Sequence, residues 1–460
     1  MGDAAGTGTV GTAQAGGQPE LERAIGPKLL LFFVIGDILG TGIYALTGSV
    51  AGVIGGALWL PFLLAFVVAF LTAFSYLELV GKYPRAAGAA LYTHKAFGIN
   101  FLTFMVTFTV MSSGVTSAAA AAKAFGETYL KAFIELPTWA VAAVFIAGLA
   151  VINFRGVGES VKANLVLTLI ELSGLVIIIV VGVYAVIQGK GDTSRLTEIN
   201  TGDTTALLAI TAATSLAFFA MVGFEDSVNM AEECHNPVRI FPRAMLWGMG
   251  IAATIYVIVA VLSSMLVPAD VLAAAESSAL FRVLEAGAPG FPLAVFAAIG
   301  LFAVVNSALI NMLMASRLLY GMSNERIIPR AFSTVHPGRR TPWVAITFTS
   351  AIAIVLVASV DIALLGGTTA LLLLAVFTIV NIAVLVLRRD PVDHEHFRAP
   401  GWTPWAGIVL CGFLSTPLSG RPLVQFAVAG ILLGVGVVLW VINYLLVGRV
   451  EVDPSRLGKS

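Results

Sequence analysis

The residues of this chain best suited to chemistry lie in the segment GDILGTGIYALTG, residues 36–48, within its first long apolar stretch. The segment combines Gly36, Asp37, Gly40, Thr41 and Gly42. Glycine inside a helix costs about 1 kcal/mol relative to alanine, and an acid at bilayer depth costs about 3 kcal/mol or more. Backbone released from a helix at that depth is tolerated only where it is buried in protein or lines a cavity. The segment therefore predicts a broken helix beside a binding cavity, with close helix packing through small residues as the alternative.

A later apolar stretch, residues 206–231, carries a similar interruption. Gly223 is followed closely by the acids Glu225 and Asp226. Two glycine-interrupted segments at corresponding positions of two halves indicate an inverted repeat with a binding site between the breaks. The acids also have a simpler interpretation, because acidic side chains stabilise helix N-termini as caps.

Broken helices offer complementary groups to a zwitterion such as an amino acid. The free N–H groups at a half-helix N-terminus attract a carboxylate, whereas unpaired carbonyls at the C-terminal end of the other half accept hydrogen bonds from an ammonium group. The candidate amide donors are Gly40, Thr41 and Gly42, and the candidate carbonyl acceptors are Ile38, Phe219 and Val222. The Phe219 ring has the alternative role of an ordinary core or lipid-facing aromatic.

Two acids lie within apolar stretches and are candidates for carrying a proton. Asp37 lies in the first break, and Glu171 shares one helical face with Ser160, Asn164 and Thr168. Ionisable groups inside a membrane mark functional sites by default. The alternative for both is a hydrogen-bonded carboxyl that holds helices together. Uncharged polar residues in two further stretches are candidates either for lining a pocket or for bonding their own helix backbone: Ser112, Ser113, Thr116, Asn306, Ser307 and Asn311.

The amino-acid composition indicates that the chain is a membrane protein. The chain has 460 residues, of which 58% are hydrophobic and 11% charged, and its mean hydropathy is +0.95. Stretches of roughly 20 apolar residues cross a bilayer. Twelve such spans are predicted at about 29–53, 58–80, 101–122, 138–152, 165–187, 206–231, 244–267, 292–316, 343–360, 368–387, 404–418 and 423–447. Residues 1–20 and 449–460 are predicted to be tails, the first of them disordered.

Positive charge predicts the orientation, because loops rich in Lys and Arg stay in the cytoplasm. Of the 26 Lys and Arg residues, all but six fall on the side of the N-terminus. The exceptions are Lys123, Lys131, Lys190, Arg195, Arg282 and Arg421. Both termini are therefore expected in the cytoplasm, with the chain in the cytoplasmic membrane.

Other classes of function find little support in the sequence. Cys234 and Cys411 suggest neither a disulfide framework nor a metal site, and the two-histidine zinc pattern fails because position 398 is arginine. We expect no cofactor and no metal. A nucleotide-binding loop is missing from the sequence, which argues against direct use of ATP, and a net charge of zero argues against nucleic acid as a partner. The chain also offers no nucleophile–base pair at membrane depth, as an embedded enzyme would need.

Four segments resemble the amino acid–polyamine–organocation superfamily, specifically bacterial amino acid permeases and the cationic amino acid transporter branch. They are GTGIYALTG, YLELVGKYPRAAGAALY, FFAMVGFEDSVNMAEECHNPVRIFPRA and SRLLYGMSNERIIPRAFSTVHPGRRTP. The resemblance implies an all-α membrane fold of twelve helices with discontinuous helices 1 and 6. Two inverted five-helix repeats, about 28–187 and 206–388, would be followed by two extra helices at about 404–447.

The resemblance also implies roles for individual residues. Gly40, Thr41 and Gly42 match the segment that binds the substrate carboxylate, and the carbonyls of Ile38, Phe219 and Val222 match those that hold the α-amino group. Phe219 occupies the position of a gating aromatic, and Glu225 that of an acid following the unwound segment. Both residues are therefore predicted to take part in gating.

The sequence departs from the family at two acids. Glu171 stands where proton-coupled relatives have a lysine that substitutes for a bound sodium ion. Asp37 stands where relatives often have an uncharged residue, and an acid beside an ammonium site favours a cationic or amine substrate.

The expected function is an amino acid permease that works by alternating access and proton-coupled symport, with sodium as the other coupling ion. An amino acid or amine exchanger and a polyamine carrier are the alternatives within transport. A nutrient sensor or channel on the same fold and a membrane-embedded enzyme are the alternatives outside it. Side-chain selectivity is expected to rest on spans 3, 6, 8 and 10.

Overall fold

The structure is a computed structural model that describes residues 25–84, 88–155, 160–202, 204–324 and 327–447. The predicted tails lie outside these ranges. The described residues form sixteen α-helices and contain no β-strand, apart from one isolated pairing of Ile25 with Cys234.

In chain order the α-helices are α1 (Pro27–Leu39), α2 (Thr41–Ile54), α3 (Trp59–Lys82), α4 (Gly88–Phe97), α5 (Asn100–Ala124), α6 (Thr138–Arg155), α7 (Ser160–Ile187), α8 (Ala206–Ala217), α9 (Pro237–Leu266), α10 (Ala269–Ala275), α11 (Ala279–Gly287), α12 (Leu293–Asn324), α13 (Trp343–Ser359), α14 (Ile362–Leu387), α15 (Thr403–Leu414) and α16 (Leu423–Val447). Short 3₁₀ or π turns join them at Phe125–Tyr129, Leu130–Ala132, Thr193–Thr197, Phe218–Met221, Asp226–Glu233, Glu276–Ser278, Arg330–Ser333 and Pro417–Ser419.

Each predicted span coincides with a helix or a broken pair of helices. Within the described ranges, ten segments are long and apolar enough to cross a membrane, and two shorter apolar helices, α13 and α15, accompany them. At about 1.5 Å per residue, the twelve residues of α15 reach only about 18 Å. The chain is thus a multi-pass helical membrane protein, and the count of twelve spans stays a prediction. The short helices α4, α10 and α11 were not predicted, because each lies in a connection between spans.

The break predicted in the first span is confirmed. Helix α1 ends at Leu39 and α2 begins at Thr41, with Gly40 between them at φ −33° and ψ −152°, which is not a helical conformation. Gly40 also carries no side chain that could cap the N-terminus of α2. The first amides of α2 are therefore left uncapped by any side chain.

The break predicted in the sixth span is also confirmed, although its second half differs from expectation. Helix α8 passes into the 3₁₀ turn Phe218–Met221, Val222 is extended, and Gly223 has φ +122°, a conformation that favours glycine. The chain then continues as a 3₁₀ helix, Asp226–Glu233, rather than as the expected α-helical half. This 3₁₀ helix itself carries three acids, Asp226, Glu232 and Glu233, and it is wound more tightly than an α-helix.

Burial separates central helices from peripheral ones. In the most apolar window of each segment, 78% of residues are buried for the α1–α2 pair and for α5, but only 22% for α6 and α16. The peripheral helices expose large apolar side chains such as Val144, Ile431 and Leu445. A contiguous apolar exterior of this kind belongs against lipid rather than water. The broken helices therefore lie at the centre of the bundle, away from the bilayer.

The C-terminal end of α14 is fixed by a buried ion pair. The Arg388 guanidinium binds Glu78 of α3 through two hydrogen bonds of 2.8 and 2.7 Å, and Glu78 is 2% exposed. Both side chains also bond the backbone of Ala399, on the segment that leads to α15. Lys82 adds hydrogen bonds to the carbonyls of Leu387 and Asp390. This polar cluster ties α3, α14 and the approach to α15 together.

The N-terminal half of α14 is held by a second buried cation, Arg421, in the connection between α15 and α16. Arg421 is 4% exposed, and it donates to the carbonyls of Leu414, Gly367 and Ser215 at 2.6, 2.8 and 3.1 Å and to Gln425 Oε1 at 2.9 Å. Gly367 belongs to α14, and Ser215 lies in α8 just before the second break. One guanidinium therefore joins the last two helices to the helix that leads into the break.

Replacing Arg421 by methionine, which has no donor, is expected to destabilise the protein strongly. Three buried carbonyls would lose a partner, at about 1–3 kcal/mol for each group left unsatisfied. Thermal unfolding in detergent should show a clearly lower midpoint for Arg421→Met. The matched control is Arg282→Met, whose guanidinium is exposed and pairs with Glu285, a contact worth at most about 1 kcal/mol. Equal midpoints for the two variants would contradict this role of Arg421.

Candidate functional site

The two helix breaks are in direct contact. A Cβ atom added at Gly42 would lie 2.4 Å from Cα of Ala220, and one added at Gly223 would lie 2.7 Å from the carbonyl oxygen of Asp37. Both distances are shorter than any real Cβ contact, so only glycine permits this approach. The glycines that suggested broken helices are thus also packing residues, as the alternative interpretation held.

The N-terminal end of α2 presents groups suited to an anion. The Thr41 side chain is 2% exposed, and its Oγ1 is buried with no hydrogen-bond partner. Ser307 of α12 faces Gly40, with its Oγ 3.2 Å from the position of an added Cβ. The structure therefore brings Gly40, Thr41 and Gly42 to one helix N-terminus beside two hydroxyl groups. Buried hydroxyls without partners are uncommon, since satisfying them is worth about 1–3 kcal/mol.

The proposed carbonyl acceptors are divided between the two breaks, with Ile38 at the first and Phe219 and Val222 at the second. The Ile38 carbonyl accepts a 2.6 Å hydrogen bond from the Tyr256 hydroxyl of α9, and the Phe219 carbonyl accepts one of 3.4 Å from the Val222 amide. A carbonyl oxygen has two lone pairs, so each retains capacity for a further donor. Tyr256 was missed by the sequence reasoning, because an isolated tyrosine in an apolar helix carries no pattern.

Phe219 is 4% exposed and packs against α14 and α2. A Cβ added at Gly366 would be 3.3 Å from the Phe219 ring and 2.8 Å from Leu46. The ring therefore sits where the turn Phe218–Met221 meets α14, held on both sides.

Glu225 binds the backbone of the second break. Its Oε2 accepts a 2.9 Å hydrogen bond from the Gly223 amide, and the residue is 7% exposed. Glu225 stands at the N-cap position of the 3₁₀ helix Asp226–Glu233 but makes no side-chain cap hydrogen bond to it. The predicted capping of this half by Glu225 is therefore not observed, because the carboxyl group turns back to the amide of Gly223. Its gating role stays a prediction.

The two proton-carrier candidates are buried carboxyls with unpaired oxygens. Glu171 is fully buried, and neither of its side-chain oxygens has a hydrogen-bond partner; Asp37 Oδ2 is in the same situation. Asp37 lies within electrostatic range of Glu225, Asp226 and Glu171. The predicted polar face of α7 is buried at Asn164, Thr168 and Glu171, while the side chain of Ser160 lies outside the described part.

A chain of two tyrosine hydroxyls leads to the backbone of Glu171. The Tyr44 hydroxyl donates to the Glu171 backbone carbonyl at 2.5 Å, and the Tyr129 hydroxyl donates to the Tyr44 carbonyl at 3.1 Å. Tyr44 and Tyr129 also meet edge to face. Helix α2 is thereby linked by a hydrogen bond to α7, the helix that carries Glu171.

A small cavity opens beside the second break. Its volume is about 20 Å³, room for one or two water molecules. The cavity lies between α5, the second break, α12 and α14, which correspond to the predicted spans 3, 6, 8 and 10. Its lining residues are Val110, Ser113, Gly114, Val222, Glu225, Asp226, Asn311, Met314, Ala315, Leu318, Thr369 and Leu373.

The uncharged polar candidates divide between the two roles considered for them. Ser113 and Asn311 line the cavity, yet each also donates to its own helix, to Val110 at 2.7 Å and to Ser307 at 2.9 Å. Thr116 bonds Thr369 across the α5–α14 interface at 2.6 Å. Ser112 Oγ is buried without a partner, and Asn306 is buried.

Two contacting helix breaks inside a multi-pass helical bundle define a transporter-like membrane protein. The family model described as "Amino acid permease" matches residues 25–448, and the chain belongs to this family, within the superfamily that the sequence segments resembled. It is accordingly a membrane transporter of amino acids or related compounds.

Individual relatives agree with this class and differ in the compounds they are named for. The chain is 24% identical to the branched-chain amino acid permease BcaP of Bacillus subtilis over 439 residues, which cover 90% of this chain and 92% of that protein. It is 26% identical to the methylthioribose transporter of the same organism, covering 85% and 87% of the two chains. It is also 26% identical to cationic amino acid transporter 7 of Arabidopsis thaliana, covering 86% and 70%. The substrate therefore has to be inferred from the site itself.

Substituting Gly42 by alanine should force the breaks apart, because its Cβ would collide with Ala220. Overpacking of this kind costs about 1–3 kcal/mol, and the displaced α2 amides should bind substrate more weakly. We expect a lower unfolding midpoint in detergent together with reduced substrate uptake. The control is Gly148→Ala in α6, where an added Cβ meets nothing within 4 Å. A Gly42→Ala protein equal to the control in both measurements would show that the contact is not required.

Proposed function

We propose that this protein is a secondary active amino acid permease that works by alternating access, with its substrate bound between the two helix breaks. The observation that carries the proposal is the contact of the breaks at Gly42 and Gly223, which brings an uncapped helix N-terminus and free carbonyl lone pairs to one place. Transport is favoured over catalysis because the site offers polar groups for binding without a nucleophile and base.

The site suits the two charges that all α-amino acids share. The amides of Gly40, Thr41 and Gly42 and the Thr41 hydroxyl would receive the carboxylate, since helix N-termini bind anions. The carbonyls of Ile38, Phe219 and Val222 would receive the ammonium group. Tyr256 would share the Ile38 carbonyl with it and so hold that acceptor in place.

The structure represents a conformation in which an amino acid does not fit. Gly42 lies against Ala220, and the neighbouring cavity admits only one or two water molecules. Binding therefore requires the breaks to separate. We propose that this occurs by movement of two inverted repeats, about 28–187 and 206–388, in a protein of twelve spans whose termini are cytoplasmic. Phe219 and Glu225, beside the break, would then act as gating residues.

Proton coupling is proposed through Glu171, with Asp37 as the second candidate. A buried carboxylate without a partner is very costly, so a carboxyl in the position of Glu171 is suited to bind a proton in this conformation. The proton would be released when the site opens and water or a cation reaches it. The Tyr44 link from α2 to α7 would couple this step to movement of the first break.

Transport by the purified protein in proteoliposomes tests the proposal. A panel of radiolabelled amino acids and amines would be supplied at two external pH values, with and without sodium. Accumulation under an inward proton gradient, without substrate inside, supports symport. Uptake only into preloaded vesicles would identify an exchanger instead. Saturable binding without transport would identify a sensor, and failure to bind or move any compound of the panel would overturn the proposal.

Glu171→Gln is expected to abolish the stimulation of uptake by a proton gradient, because glutamine has the shape of the protonated acid but exchanges no proton. Substrate binding should be retained within about a factor of three, since Glu171 is not among the proposed substrate contacts. Initial uptake rates with and without an imposed gradient measure the effect. Glu285→Gln, on the exposed surface of α11, serves as the control and should keep the stimulation. A Glu171→Gln protein that still responds to the gradient rules this role out.

A further inference from the structure

We propose that the cavity beside the second break receives a positively charged group of the substrate, with the Asp226 carboxylate as its partner. The inference rests on the proposed function and names its substrate class: basic amino acids, or amines with a second cationic group. It assigns a recognition role to a residue that the sequence offered only as a cap.

The charges of the cavity are unbalanced. Its lining includes the two carboxyl groups of Glu225 and Asp226 and no lysine, arginine or histidine among the described residues. A third acid, Asp37, lies within electrostatic range of both. Like charges close together in a poorly solvated site repel each other, and a cation between them removes that repulsion. A neutral apolar side chain would leave the carboxyls uncompensated.

The two acids are not equivalent. The Glu225 carboxyl is engaged with the backbone of the break, since its Oε2 accepts a hydrogen bond from the Gly223 amide. The Asp226 side chain makes neither a hydrogen bond nor an ion pair with any described residue. Both carboxylate oxygens of Asp226 are therefore available to a ligand.

The remaining wall matches a flexible aliphatic chain that ends in a cation. Val110, Met314, Leu318 and Leu373 supply apolar surface, and Met is well suited to irregular or variable shapes. Long basic side chains combine an apolar stem with a charged end. The wall is thus suited to the methylene groups of such a side chain, and Asp226 to its end.

The cavity is continuous with the proposed zwitterion site. Val222, one of the proposed acceptors for the ammonium group, is itself a lining residue, and Asp226 follows it in the chain by four positions. Once the breaks separate and the cavity widens, one substrate can therefore place its α-ammonium group at the break and its side chain between the residues that line the cavity.

Asp37, the acid that the sequence suggested for selecting a cationic substrate, is placed differently. Gly223 packs against Asp37. A Cβ atom added at Gly223 would be 2.7 Å from the Asp37 carbonyl oxygen and 3.1 Å from the Asp37 carboxyl carbon. Asp37 is not among the residues that line the cavity. The packing of the two breaks thus separates Asp37 from the cavity and leaves Asp226 exposed to it.

The test compares lysine with norleucine, which has the same aliphatic stem without the terminal ammonium group. Wild-type protein in proteoliposomes should take up lysine with an apparent affinity about ten- to hundredfold higher than norleucine, as one charge-assisted hydrogen bond provides. Asp226→Asn should lose this preference, so that the ratio of the apparent affinities for lysine and norleucine falls to about one. Asp226→Glu should retain part of it, and Asp270→Asn, on the exposed helix α10, should behave as wild type.

The outcomes separate the two proposals. Uptake of norleucine or leucine by the wild type without preference for lysine would overturn the role of Asp226 and leave the permease proposal intact. Retention of the lysine preference in Asp226→Asn would also overturn it. Absence of uptake and binding for every amino acid would overturn both. If Asp226→Asn does not fold, ligand-induced shifts of the wild-type unfolding temperature decide the matter: stabilisation by lysine but not norleucine supports the inference, and equal shifts refute it.

Discussion

The contact between two broken helices is the constraint on which the rest of the structure depends. Backbone groups released from a helix at membrane depth must find partners inside the protein. The chain meets this requirement by placing each break against the other, Gly42 against Ala220 and Gly223 against Asp37. Side chains at these glycines would collide with backbone atoms, so the approach depends on glycine itself. The central position of both breaks, enclosed by apolar peripheral helices, follows from the same requirement.

Some of the polar groups near the breaks have hydrogen-bond partners within the described part of the protein, and others have none. Tyr256 occupies one lone pair of the Ile38 carbonyl, and Glu225 satisfies the Gly223 amide. By contrast, the Thr41 hydroxyl, one oxygen of Asp37 and both side-chain oxygens of Glu171 are buried without partners. Each such group lowers stability until it gains a partner, and under the proposed function a bound substrate or proton would supply one.

Helix α14 links this site to the periphery. Arg388 fixes its C-terminal end to α3, and Arg421 joins its N-terminal half to α8 and to the connection between the last two helices. Close to the Arg421 contact, α14 contributes Thr369 to the cavity wall and packs against Phe219 at Gly366. The two basic residues are held differently: Arg388 has a carboxylate partner, whereas Arg421 binds only neutral oxygens. The helices outside the predicted repeats are thereby connected through hydrogen bonds to α8, the helix that leads into the second break.

The sequence alone determined the class of fold, the helix breaks and most of the residues at them, because long apolar stretches and costly glycines and acids leave a local signal. It did not predict α4, α10 and α11, nor the 3₁₀ form of the chain after Asp226, where local propensity is weak and packing decides. Nor did it identify Tyr256 as a partner of Ile38. Only the tertiary structure decided which acid faces open space: Asp37 is covered by Gly223, while Asp226 borders the cavity. An acid at membrane depth is energetically unfavourable, and the sequence shows this for each of them. The groups that surround each acid come from helices distant in the chain, and they determine whether the acid can meet a ligand.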